Sequence, residues 1–437
     1  MSAEKAAAPS EAVRLHSHYQ GKVQVAPKVP VRSLEDFAVW YTPGVADPCR
    51  AIHSDPAQVW DLTNRGNTIA IVSDGTRVLG LGDIGPAAGL PVMEGKALIF
   101  KLLGGVDAIP LVLCTDDPDE LIGVVKALEP SFGGINLEDI AQPKCFGILE
   151  RLRAEMQIPV WHDDQQGTAT VVLAAVLNAL RLVGKELGQV HIAMVGMGAA
   201  NVANYRLLKS AGADPAAIVA CDAGGILNEA RTDLETQAEI APQWAICRES
   251  NAEGREGGIP EALRGADVLI AFSKPGPDTI LPEWVEGMAE DAVVIAGANP
   301  VPEIWPEDAR AAGARIVGTG RSDFPNQVNN ALAFPGIFRG VLDVRARRIS
   351  DEMAVAAALE LARCAELRGL TEEHILPTLD EEEVPIRLAV ATGLAAQQEG
   401  LAQRPGTIEE LETRAQQALQ ASQAIFHALV GEGASGG

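Results

Sequence analysis

Residues 189–213 read QVHIAMVGMGAANVANYRLLKSAGA, and this stretch decides the fold. An apolar run, Val190–Val195, ends in Gly196-Met197-Gly198 and opens into a helical pattern. The order is strand, tight turn, helix. Gly196 allows the turn. Gly198 lets backbone N–H groups approach a pyrophosphate at the helix start, where Ala199 and Ala200 stand. The third glycine of the usual GxGxxG fingerprint is missing, because position 201 is Asn. A second apolar run, Ile218–Cys221, ends in Asp222, 21 residues beyond Asn201. The acid that bonds a ribose 2′-hydroxyl stands at an offset of about 20 residues. Ala223 and Gly224 follow and offer no cation for a 2′-phosphate, and Arg231 looks too distant. These residues predict a dinucleotide site that prefers NAD, with NADP possible. A plain strand–turn–helix without a ligand is the blander alternative.

The alternation extends both ways. Toward the C-terminus, strands are expected at Val268–Phe272, Val293–Ala296 and Arg315–Val317. Toward the N-terminus they are expected at Thr68–Ser73, Asp107–Cys114 and Ile158–Trp161, with a helix at Asp119–Leu128. An Ala-rich helical pattern over Gly167–Val183 leads out of the first domain. Strands alternating with helices imply parallel sheets covered on both faces. The predicted fold class is α/β. An N-terminal α/β domain for substrate and metal spans 1–165, with a helical arm at 1–40. A Rossmann-type doubly wound NAD(P)-binding domain spans 166–345. C-terminal helices and a tail, 346–437, return to the first domain or pack in an oligomer.

Composition narrows the function classes. The chain has 437 residues and a formal net charge of −24. Such a field repels nucleic acid and anionic membranes, so neither is expected as a partner. The six cysteines form no CxxC pair, and their spacing suggests buried thiols in a reducing compartment. The N-terminus lacks the pattern of a secretory signal. No uncharged apolar run reaches the roughly 18 residues of a membrane span. A cytoplasmic location is expected.

Two acidic pairs stand near strand ends: Glu138-Asp139 in GGINLEDI and Asp163-Asp164 in IPVWHDDQQGT. Carboxylates packed together repel unless a cation joins them, and hard divalent cations such as Mg²⁺ and Mn²⁺ prefer oxygen ligands. Asn136 followed by Asp139 also reads as a helix cap. His162, a lone histidine beside the second pair, is read as structural rather than as a ligand. Lys96 lies in an apolar pattern, and a desolvated lysine near a metal has its pKa lowered toward use as a base. An ordinary surface lysine is the alternative. Tyr41, in WYTPGVADP, reads by pattern alone as a packing anchor.

Several segments together resemble the short prokaryotic malic enzymes: YTPGVA, SDGTRVLGLGDIG, GLPVMEGKALIFK, GGINLEDI, VWHDDQQGTA, ANPVPEI and TGRSDFPNQVNNALAFPGIFRG. They run in order from about residue 12 to about residue 400. The resemblance implies oxidative decarboxylation of (S)-malate to pyruvate and CO₂ with NAD(P)⁺ and Mg²⁺ or Mn²⁺. It implies that Glu138, Asp139 and Asp164 bind the metal, with Asp163 behind them near the lysine. Lys96 would be the general base and Tyr41 the general acid. Asn299 and Asn330 would hold substrate and the nicotinamide end, and Arg77 would grip a substrate carboxylate. A homodimer or higher oligomer is implied, in which the N-terminal arm completes a neighbour's site. Malolactic decarboxylation to lactate would use the same residues. An amino-acid dehydrogenase would need no metal, and a nucleotide-sensing module would not retain these groups together.

Overall fold

The protein is described by a computed structural model covering residues 10–235 and 241–430. The first sheet holds β1 (Thr68–Ser73), β2 (Asp107–Val112), β3 (Gly134–Leu137) and β4 (Val160–His162), in the order β2-β1-β3-β4. All pairings are parallel, with Ile69 opposite both Ala108 and Gly134, and Ile135 opposite Val160. Every residue of β1 is buried, as expected of a central strand covered on both faces. Strand β3 was not among the expected strands. Its four residues carry Gly at the start and Asn in the middle, which weakens any pattern. Asn136 lies inside this strand and caps no helix, a correction to the capping alternative.

The second sheet holds β5 (Ile192–Val195), β6 (Ile218–Asp222), β7 (Gly225–Ile226), β8 (Val268–Ala271), β9 (Val293–Ala296) and β10 (Ile316–Thr319). Its order is β10-β9-β8-β5-β6-β7, and only the short β7 is antiparallel. The chain builds outward from β5 in one direction and then from β8 in the other. The β5/β8 boundary is therefore a topological switch point, where doubly wound sheets bind ligands.

Between the sheets runs the helix Thr168–Val183. By length and hydropathy alone Asp163–Val183 is long and apolar enough to cross a membrane, although Asp163, Asp164 and Arg181 interrupt it, and 72% of its most apolar window is buried in the fold. It is a core helix. The helix Phe334–Asp343 then brings the chain back onto the first sheet's helix Pro86–Gly104. There the Phe100 ring lies 4.6 Å from Phe334 and 5.2 Å from Phe338. The helices Asp351–Arg368, Glu383–Gln398 and Ile408–Val430 complete this return. The helices Phe334–Asp343 and Glu383–Gln398 cross closely at Gly340, where a Cβ would come within 2.4 Å of the Ala389 carbonyl. All six cysteines are free; Cys49 and Cys114 are exposed, a correction to the expectation of buried thiols, and the other four are buried.

The N-terminal arm differs. Its helices Glu11–Tyr19 and Phe37–Trp40, and the helix Ala46–Ser54 just after it, contain no fully buried residue. Val25, Leu34 and Tyr41 are 93%, 86% and 67% exposed.

Candidate active site

The C-terminal edges of both sheets open onto one cavity of about 1300 Å³. Arg77 follows β1, Glu138 and Asp139 follow β3, and Asp164 follows β4. From the second sheet, Gly196 follows β5, Asp222 ends β6, Ser273 follows β8, and Asn299 follows β9. Lys96, Gly198, Ala199, Ala200 and Asn330 also line it.

Lys96 projects from the helix Pro86–Gly104 into the carboxylates. Its Nζ lies 2.7 Å from Asp163 Oδ2 and 2.9 Å from Glu138 Oε1. The Phe334 ring sits 4.4 Å from Nζ, on the side away from water. Asp163 is fully buried, and its other oxygen accepts from Trp161 Nε1 at 3.0 Å. It stands behind Lys96 rather than in the cavity wall. Gly167 makes this possible: a Cβ there would fall 1.9 Å from Asp163 Oδ1.

In front of Lys96, Glu138, Asp139 and Asp164 each offer an oxygen within 4.8 Å of the others. Asp164 Oδ2 accepts from the Asp139 N–H at 2.8 Å, and Asn136 Nδ2 donates to Glu138 Oε2 at 2.8 Å. Asp139 Oδ2 is buried and has no partner. Burial raises the Glu138 carboxyl well above its ordinary value, and repulsion from Asp164, Asp163 and Asp139 adds to this. Burial and the Asp164 charge push Asp139 up to about 7. Buried hard oxygens that repel one another and leave one atom unpartnered fit a divalent cation such as Mg²⁺ or Mn²⁺.

The same charges act on Lys96 before any cation takes them up. Burial alone lowers Lys96, but Asp163, Glu138 and Asp164 outweigh it and hold the ammonium above its ordinary value. His162 is buried with neither ring nitrogen bonded, and burial lowers its pKa.

On the dinucleotide side, Gly196 adopts φ +85°, and a Cβ would meet the Phe272 carbonyl at 2.6 Å. Above Gly198 a Cβ would meet nothing within 4 Å, so the turn is open to a ligand. Asn201 explains the missing third glycine. It is fully buried, and its Nδ2 donates to the Val195 and Gly196 carbonyls at 3.0 and 2.8 Å. The third glycine serves close helix–strand packing; here a side-chain amide ties the two elements instead. Arg231 corrects an expectation. It is not distant: its guanidinium meets Asp222 at 2.8 and 3.0 Å.

Comparison with known proteins decides the family. Residues 20–116 and 113–153 match the malic enzyme N-terminal domain, and residues 165–397 match the malic enzyme NAD-binding domain. This chain belongs to the malic enzyme family. It is 48% identical over 394 residues to a bifunctional malic/malolactic enzyme of Bacillus subtilis, covering 90% of this chain and 94% of that one. It is 46% identical to an NAD-dependent malic enzyme of Geobacillus stearothermophilus, covering 89% and 79%. The malic enzyme structure from Pyrococcus horikoshii aligns with a TM-score of 0.91 at 48% identity, covering 96% and 98%.

Within this malic enzyme framework, two residues escaped the sequence reading. Glu303 is fully buried and accepts the Ser273 N–H at 2.7 Å and the Ala298 N–H at 3.0 Å. It ties together two loops of the cavity wall. Lys274 lines the same wall. The loop Ser273–Gly276 directly after an apolar run was the available signal. Tyr41 is the converse. The resemblance makes it the general acid, but its side chain is largely exposed and does not line the cavity of its own chain.

Proposed function

We propose that this malic enzyme oxidises (S)-malate at C2 with NAD⁺ and decarboxylates it to pyruvate and CO₂. One observation carries the residue roles: four carboxylates and one buried lysine gathered where two parallel sheets open onto a single cavity. Glu138, Asp139 and Asp164 would hold a divalent cation, which would supply Lewis-acid polarisation of substrate oxygens. With the carboxylate charge taken up, the pull that keeps Lys96 protonated weakens. Lys96 would then be free to accept the C2 hydroxyl proton, and a bound nicotinamide would supply the hydride acceptor. Asp163, anchored by Trp161, keeps its Nζ in place. Arg77 and Asn330 face the substrate carboxylates, and Asn299 serves substrate and the nicotinamide end.

Tyr41 acts in trans. An arm whose helices hold no buried residue, with the tyrosine that follows them exposed, is suited to a second copy of this chain. In a homodimer the arm enters the partner's cavity, and Tyr41 delivers a proton to C3 after CO₂ departs. Asp222 favours NAD⁺ over NADP⁺, because a carboxylate repels a 2′-phosphate. Residues 1–165, 166–345 and 346–437 divide the work into substrate, dinucleotide and supporting segments, and the free cysteines suit a cytoplasmic location.

The test is a spectrophotometric assay with (S)-malate and Mn²⁺, comparing NAD⁺ with NADP⁺ and measuring pyruvate. Equal amounts of reduced cofactor and pyruvate are expected, both lost with EDTA. The malic/malolactic relative at 48% identity favours one second reading. Lactate without net reduced cofactor would replace the oxidative reading with that one.

A further inference from the structure

At the far end of the dinucleotide cleft, Arg231 lies between two carboxylates. Its Nη1 and Nη2 donate to Asp222 at 2.8 and 3.0 Å. Its Nε and Nη2 donate to Asp233, both at 2.9 Å. Both grips are bidentate, the geometry that orients a guanidinium and a carboxylate most firmly. The turn after β6 leaves room for this: a Cβ on Gly224 would fall 2.8 Å from Arg231 Nη2. The Gly224 N–H also donates to Asp222 Oδ1 at 2.7 Å. Asp222 thus receives three donors from its own chain. An ionised carboxylate has about four acceptor positions, so one stays open toward the cleft. The three side chains together carry one net negative charge, which suits a neutral hydroxyl and repels a phosphate.

We propose that Arg231 is the specificity-determining residue at the adenosine end: it fixes Asp222 for a ribose 2′-hydroxyl, and it becomes the ligand of a 2′-phosphate once Asp222 is removed. The proposal rests on the NAD⁺ reading above and deepens it. Arg231 acts through Asp222 in the natural chain. Without Asp222, the guanidinium edge formed by Nη1 and Nη2 loses its partner and faces the place the carboxylate held. An arginine so placed accommodates a 2′-phosphate.

Equilibrium binding tests this without turnover. By calorimetry, the unaltered protein should bind 5′-AMP about tenfold tighter than 2′,5′-ADP, the difference one charged hydrogen bond commands. Equal or reversed affinities overturn the proposal. Asp222→Ala should weaken NAD⁺ binding and tighten NADP⁺ binding, each about tenfold. Asp222→Ala combined with Arg231→Ala should lose the NADP⁺ gain. A gain that survives in the double variant removes Arg231 from the proposal and leaves the NAD⁺ reading standing. Unchanged NAD⁺ binding in Asp222→Ala instead removes the Asp222 reading itself.

Discussion

The two edges of the first sheet both gather charge, and they do so differently. At the N-terminal edge, Asp107 begins β2 and meets Lys101 at 2.7 Å, Lys28 at 3.1 Å and Asn67 at 2.9 Å. Asn67 accepts from Arg339 at 2.6 Å, and Arg339 meets Asp343 at 2.8 Å. Two carboxylates there face three cations. At the C-terminal edge, Glu138, Asp139, Asp163 and Asp164 crowd around Lys96, with Arg77 as a second cation near Asp139. Charge that is matched on the spot holds elements together. Charge left in excess and aimed into a cavity marks a place for something the chain does not itself contain.

The sharpest way to break this comparison is Lys96→Ala. At the C-terminal edge it should lower the turnover of malate oxidation about 10²–10⁴-fold with the fold intact. Stopped-flow or steady-state kinetics beside circular dichroism would check it, and near-normal turnover would remove Lys96 from the chemistry. Asp164→Asn should come next. It should raise the Mn²⁺ concentration for half-maximal activity by about 10–100-fold or more, and abolish the thermal shift that Mn²⁺ gives. An unchanged shift would mean that the cation binds elsewhere.

A third experiment asks whether the C-terminal edge is complete within one chain. Neither Tyr41→Ala nor Lys96→Ala should turn over malate alone. Mixed and allowed to exchange subunits, they should regain about a quarter of the active sites, the statistical yield for a two-fold dimer that shares residues. No recovery, despite exchange shown by mass spectrometry, would return Tyr41 to its own chain.

The smallest effect belongs to the N-terminal edge. Burial pushes the Asp107 carboxyl up, but Lys101, Asn67 and Lys28 outweigh it and bring it to about 2. A folded-state pKa below the ordinary carboxylate value means stability that is present above that value and lost as pH falls toward about 2. Asp107→Asn should therefore cost about 1–2 kcal/mol at pH 7, with the deficit closing at acid pH. Urea titrations at both pH values would show this, and activity should stay within about twofold.

The difference between the edges also explains what was legible in the sequence. The acids of the C-terminal edge stand in two short segments, Glu138-Asp139 and Asp163-Asp164, each next to a strand, so the pairs announce themselves. The N-terminal edge draws on positions 28, 67, 101, 107, 339 and 343, and no local pattern connects them. Strand β5 and its glycine turn were legible because the turn chemistry is local. Strand β3 was not, since Gly134 and Asn136 are there for neighbours distant in sequence. Gly134 leaves room for the Phe338 ring, which a Cβ would approach to 3.1 Å. Asn136 serves Glu138. The pairing of Lys96 with Asp163, 67 residues away, has no local signal and came through the resemblance alone. Arg231 was placed too far off because β7 and its turn fold the chain back toward Asp222.

The second sheet lies between two crossings of the chain, out through the helix Thr168–Val183 and back before Phe334. A lobe inserted in this way has both ends of its segment fixed to the same neighbour, so two connections and not one set how it faces the first sheet. The side that a nicotinamide held beyond Gly196 and Gly198 turns toward the substrate is then governed by the path of the backbone as well as by the side chains that touch it.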